Sequence, residues 1–83
     1  MIADRKQQVR VRANVPGEVD VLVRVGERIE RGQCVVEVEG AGTIERLAAM
    51  KPSIVLELHC ATDDEVTAGQ LLVVLQELPG QDD

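Results

Sequence analysis

Eighty-three residues give room for one small domain with a single thin core, which excludes two-domain enzymes and barrels of repeated strand–helix units. Apolar residues make up 45% of the chain, yet Phe, Tyr and Trp are absent, so there is no aromatic platform for a base or sugar and no cage for a cation. A net charge of −6, from fifteen acidic against nine basic residues, sets the surface against nucleic-acid phosphates.

In chain order, residues 1–8 are polar and are expected to form a disordered N-terminal segment. Met1–Lys6 holds no apolar stretch like the core of a signal peptide. Gln8–Ala13 reads as a short strand. Val19, Val21, Val23 and Val25 then alternate with Asp20, Leu22 and Arg24, and Cys34, Val36 and Val38 alternate with Val35, Glu37 and Glu39. This period of two puts one face on a core and the other towards water. Glu39-Gly40-Ala41-Gly42-Thr43 reads as a tight hairpin, because its glycines admit positive φ. Thr43–Ala48 follows as a strand, with only weak helical periodicity around Glu45–Met50. Ile54, Leu56, Leu58 and Cys60 alternate with Val55, Glu57 and His59, and Leu71–Gln76 completes the set. Residues 78–83 read as a flexible acidic tail, which leaves a folded domain over 9–77. The fold class is all-β, with Ile54, Leu56, Leu58, Val66, Val73 and Leu75 joining Val19, Val21, Val23, Val36 and Val38 in an aliphatic core. No apolar run approaches the ~20 residues of a membrane span, and Cys34 and Cys60 lack metal-ligand spacing. A soluble, cytoplasmic chain with no membrane partner and no metal is expected.

The chain also repeats. Gly32-Gln33 recurs as Gly69-Gln70 at an offset of 37, and Ile29, Val36, Val38 and Glu27 map to Val66, Val73, Leu75 and Asp64. Upstream, Ala13-Asn14-Val15-Pro16-Gly17 answers Ala49-Met50-Lys51-Pro52-Ser53 at an offset of 36. Each half is too small to close its own core, so the halves are expected to pack face to face.

Val15-Pro16-Gly17, a Val-rich strand, Gly26 through Gly32-Gln33, a strand, a hairpin, a strand and a second Gly69-Gln70 together resemble the biotinyl/lipoyl domains, over about residues 10–76. The resemblance implies a flattened β-barrel or sandwich of two four-stranded halves related by a pseudo-twofold axis. It also implies biotin or lipoate on a lysine at the hairpin tip, carrying carboxyl or acyl groups between active sites. Two departures stand out. Where the family's biotinyl hairpin reads Glu-Ala-Met-Lys-Met, this chain has Glu39-Gly40-Ala41-Gly42-Thr43, and the spacing puts Gly42 at the lysine position. Glycine has no amine to form the amide. Secondly, Gly17–Gly26 is one residue shorter than usual in the family, which points to an altered register or a bulge there.

Only Lys6 and Lys51 remain as amines on side chains. Ala49-Met50-Lys51 has the letters of the attachment motif, so Lys51 is the acceptor a carrier would use. Against that role, Lys51 matches Val15 in the repeat, and Pro52 fixes φ near −65°, which conflicts with a type I′ turn. A solvated lysine in a Pro-terminated connection is the expectation. His59 is expected to face water beside Glu57, with Cys34 and Cys60 on inward faces. No nucleophile–base pair is visible, and Gly40-Ala41-Gly42 carries no phosphate-loop signature, so the chain is not expected to be an enzyme. The acidic groups Asp63-Asp64-Glu65, Glu37/Glu39 and Glu27/Glu30 suit a solvated surface or steering towards a basic partner.

Three uses follow. The first is an unmodified module, with no cofactor, that docks or braces a protein in a multienzyme or carboxylase-type system. Its partner would be a carboxylase or acyltransferase component or a biotin/lipoyl ligase. The second is a carrier with biotin or lipoyl on Lys51. The third is the lipoyl-like piece of a transport adaptor.

Overall fold

The structure is a computed structural model that describes residues 7–79; what is expected of residues 1–6 and 80–83 lies outside the described residues. Eight strands follow in order: β1 (Gln8–Arg12), β2 (Gly17–Val21), β3 (Arg28–Ile29), β4 (Cys34–Gly40), β5 (Thr43–Ala48), β6 (Ser53–Leu58), β7 (Glu65–Val66) and β8 (Leu71–Glu77). They form two antiparallel four-stranded sheets, ordered β1-β8-β6-β3 and β5-β4-β2-β7. The sheets pack as a sandwich and do not close into a barrel. Gln7 and Gln8, expected in the disordered segment, are tied in: the Gln7 carbonyl accepts from Glu77 N–H at 3.0 Å, and Gln8 pairs with Gln76. Leu78 N–H likewise reaches the Pro52 carbonyl at 2.9 Å.

Hydrogen bonds outside the ladders come in matched pairs across the two halves. Gly32 N–H donates to the Ala49 carbonyl and Gly69 N–H to the Ala13 carbonyl, each at 2.7 Å. Gly26 N–H reaches the Val55 carbonyl at 2.7 Å, and Asp63 N–H the Val19 carbonyl at 2.8 Å. Asp63 holds φ 80° where its counterpart Gly26 holds 89°. Each sheet therefore takes strands from both halves, and neither half has a core of its own.

The core is built from Ala13, Val19, Val23, Ile29, Val35, Val36, Val38, Ala49, Val55, Val66, Leu72, Val73 and Leu75. Three predicted features are corrected. Ile54 and Leu56 are only half-buried, while Val55 and Ser53 face the core at 1% exposure. The reason is a bulge: β6 pairs Val55 with Leu75 and then Glu57 with Val74, so Leu56 is an extra residue and Leu58 returns to the inner face. The register irregularity thus sits in β6, whereas Gly17–Gly26, the segment one residue short, contains β2 paired to β4 without a shift. Secondly, Cys34 does not join the core. A shift between Cys34 and Val36 buries Val35 and pairs Cys34 with exposed Ala48. Thirdly, Val25 is 60% exposed, because β2 ends at Val21 and the chain turns by Gly26.

Candidate hairpin-tip site

β4 and β5 meet in a two-residue turn, Ala41-Gly42, closed by the pairing of Gly40 with Thr43. Gly42 has φ 82° and Ala41 is not in the positive region, the pattern of a type II turn, which demands Gly or Asn at its third position. Among the described residues this tip carries no amine, so it does not fit a group attached through an amide to lysine. Around Gly42, a Cβ would meet nothing within 4 Å, and the tip stands open to solvent.

The base of the hairpin is braced. A Cβ on Gly40 would lie 2.3 Å from the Pro16 carbonyl oxygen, and one on Gly17 would lie 2.3 Å from the Glu39 carbonyl oxygen. Two backbones pass here with no space for side chains, which is why glycine stands at both positions. Asn14 adds a clamp. Its backbone N–H donates to Glu45 Oε1 at 3.1 Å and its side-chain amide donates to Glu45 Oε2. Glu45 pairs with core residue Val38, so an edge strand turns a carboxylate inwards and ties the β1–β2 connection to the hairpin. The sequence gives little signal for this clamp, whose partners lie 31 residues apart.

Lys51 lies elsewhere. It is exposed in the bend between β5 and β6, where Pro52 accepts from Leu78 and Ser53 pairs with Glu77. That is the end of the sandwich where β1 starts and β8 finishes, while the Ala41-Gly42 tip sits at the other end, beside Gly17. The Lys51 carbonyl accepts a 2.8 Å bond from Ser53 Oγ, which fixes the bend.

His59 Nε2 sits 2.6 Å from Glu57 Oε1 on the exposed surface, as the alternation predicts. Among the described residues no group of His, Cys, Asp and Glu is placed to hold a metal ion. Both thiols are partly buried. Desolvation pushes the Cys34 and Cys60 thiols up, reinforced by Glu37 and Asp64 respectively, which keeps them protonated and poorly nucleophilic.

The predicted acidic groups resolve into different roles. Glu27 and Asp64 close equivalent turns, accepting from Arg24 N–H at 3.0 Å and Ala61 N–H at 2.9 Å. Glu30 pairs with Arg28 at 3.1 Å. Glu65, Glu18 and Glu39 instead stand side by side across β7, β2 and β4, with Asp20 and Glu37 in the next row. Among the described residues, Arg46, 3.0 Å from Glu37, is the one cation that offsets this face. Like charges directly opposite one another are unfavourable on a sheet, so this face favours contact with cations.

The profile of a family described as biotin-requiring enzyme, the biotin/lipoyl family, matches residues 7–75. No curated protein matches the chain in sequence. Among solved structures, a single-chain, multi-domain long-chain acyl-CoA carboxylase superposes with TM-score 0.80 at 19% identity, covering 94% of this chain and 8% of that one. The urea carboxylase of Kluyveromyces lactis gives TM-score 0.74 at 23% identity over 89% of this chain and 7% of that one. An aspartoacylase family protein from Mesorhizobium loti gives 0.72 at 17%, over 84% of this chain and 25% of that one. The chain thus spans a quarter or less of each of these structures, and at such identities they show the fold alone. The sandwich, the braced hairpin and the profile match over nearly all the described residues lead to one conclusion: the chain belongs to the biotin/lipoyl family.

Proposed function

We propose that this chain is a biotin/lipoyl-fold module used without a covalent cofactor, as a docking or bracing domain in a carboxylase-type or other multienzyme system. The observation that carries this reading is the Ala41-Gly42 tip: the turn is present and braced, but it offers no amine. The acidic face of β7, β2 and β4 begins next to that tip and supplies a surface for a basic protein partner. Such a partner is a carboxylase or acyltransferase component in this reading. It draws support from the likeness to parts of two carboxylases, while the likeness to an aspartoacylase family protein places the same fold in a differently named protein. The domain does no chemistry itself on this account.

The competing reading, a carrier with biotin or lipoyl on Lys51, draws on the exposure of that residue and on the Ala49-Met50-Lys51 letters. It requires a ligase to accept a proline-terminated bend in place of a free hairpin turn. A labelling assay with a biotin ligase, ATP and biotin separates the two. The parent chain stays unlabelled, and Gly42→Lys acquires label at the tip. Label on the parent that disappears in Lys51→Ala would establish the carrier reading instead.

A further inference from the structure

The two halves of the chain are interlocked and share a single covalent link. In one sheet β1 and β3 of the first half hold β8 and β6 of the second between them. In the other, β5 and β7 of the second half hold β4 and β2 of the first. Backbone bonds from Gly32, Gly69, Gly26 and Asp63 to Ala49, Ala13, Val55 and Val19 all cross between the halves. The link is the Ala41-Gly42 turn, and its conformation is unfavourable where it stands. Two-residue hairpins favour type I′ or II′ turns, whose twist matches that of the strands, whereas a type II turn splays them. Here Gly42 alone of the pair has positive φ, at 82°, although β4 and β5 stay paired up to Gly40 and Thr43. Turn and strands therefore pull against each other at the hinge.

We propose that the chain exchanges halves with a second copy by opening this turn, so that β4 and β5 run on as one strand. The register fixes the arrangement. Gly40 pairs with Thr43, and continuing that ladder sets Ala41 of each copy opposite Gly42 of the other, with a two-fold axis between them. Each lobe then holds residues 7–40 of one copy and 43–79 of the other, and the contacts between halves are made again between copies. The Gly17–Gly40 brace lies within the first half and is untouched, while the Asn14–Glu45 clamp re-forms across copies. The mismatched turn is lost and the ladder gains two residue pairs; short hinges under strain invite such exchange. Opposing it is the high effective concentration of two halves joined by two residues, so the dimer is the minor form of the parent. The dimer has no hairpin tip, so a partner that reads the Ala41-Gly42 turn meets the monomer alone. The exchange depends on the turn, and it holds whether the chain is a docking module or a carrier on Lys51.

Refolding from urea at about 1 mM, where a second copy begins to compete with the tethered half, tests it. Size-exclusion chromatography should show a 9.0 kDa species and a smaller amount of twice that mass. The dimer should persist on dilution, because separation requires a lobe to unfold. Gly42→Val is strained at φ 82° yet suits a strand, and its Cβ meets nothing, so it should make the dimer the major species. Ala41→Asn completes the pair that type I′ hairpins prefer, so it should leave the monomer alone. A parent that is monomeric throughout, a Gly42→Val no more dimeric than the parent, or an Ala41→Asn as dimeric as Gly42→Val overturns the proposal. Exchange is separated from surface association by refolding Glu39→Cys chains together with Ile44→Cys chains, both with the parent turn. Residues paired across strands lie about 4.5–5.5 Å apart, within disulfide reach, and exchanged halves set position 39 of one copy against position 44 of the other. On oxidation, mixed disulfide dimers should exceed their statistical share over like-with-like pairs, read by intact mass. A purely statistical mixture would refute the exchange.

Discussion

Gly17 and Gly40 hold the hairpin against the β1–β2 connection, and the clash a methyl group would cause there is with backbone, which cannot swing aside. Gly17→Ala should therefore lower stability by about 1–3 kcal/mol, seen as a lower urea midpoint at unchanged slope. An unaltered midpoint would mean that the two backbones separate freely. The half-buried thiols give a pH-dependent counterpart. Burial raises the Cys60 pKa above its unfolded value, so the unfolded chain loses its proton first as pH rises. The associated stability is complete below about pH 8.5 and falls as pH climbs towards the folded-state pKa. Thermal melts of the parent should decline over that alkaline range more steeply than those of Cys60→Val, and parallel curves would contradict the assignment. Of these residues, Gly17 and Gly40 were visible in the sequence as part of a Pro-Gly and hairpin pattern. The Asn14–Glu45 clamp was not, because nothing local relates two polar residues brought together only by sheet packing.

At the scale of strands, alternation locates β2, β4 and β6, and β1, β5 and β8 were read as the short strands that complete the set, but alternation cannot say where an extra residue enters. Leu56 shows the consequence. Strict alternation grouped Ile54, Leu56 and Leu58 on one face, whereas the bulge separates them and gives the inner positions to Ser53, Val55 and Leu58. Two signals were present: the repeat offset changes from 36 to 37 between Pro52 and Asp64, and adjacent apolar pairs occur at Val35-Val36 and Leu72-Val73. Both of those pairs are buried together where registers shift. The two-residue strands β3 and β7 were too short to show a period, although their core residues Ile29 and Val66 were matched by the repeat. Truncation distinguishes bulge from core. Leu58→Ala should cost about 2–4 kcal/mol and Leu56→Ala about 1 kcal/mol or less, measured by denaturant unfolding. Equal losses would restore the simple alternation.

Over the whole molecule, two sheets of the same plan divide the charge unequally, with five carboxylates and one arginine on the outer face of one sheet. This division was hidden in the sequence, where the acidic residues form separate clusters and several close turns instead of lining a face. The fold was legible because a repeat and a family pattern both ran across nearly the whole chain. The use of the fold rests on far fewer residues, chiefly Ala41, Gly42 and Lys51. Intact-mass measurement of the protein isolated from its native host, with the host's own biotin and lipoyl ligases present, tests that use most directly. The expected mass is that of the unmodified chain. A discrete increase equal to a biotinyl or lipoyl group, lost in Lys51→Ala, would contradict it and make the domain a carrier with its attachment site at the opposite end of the sandwich.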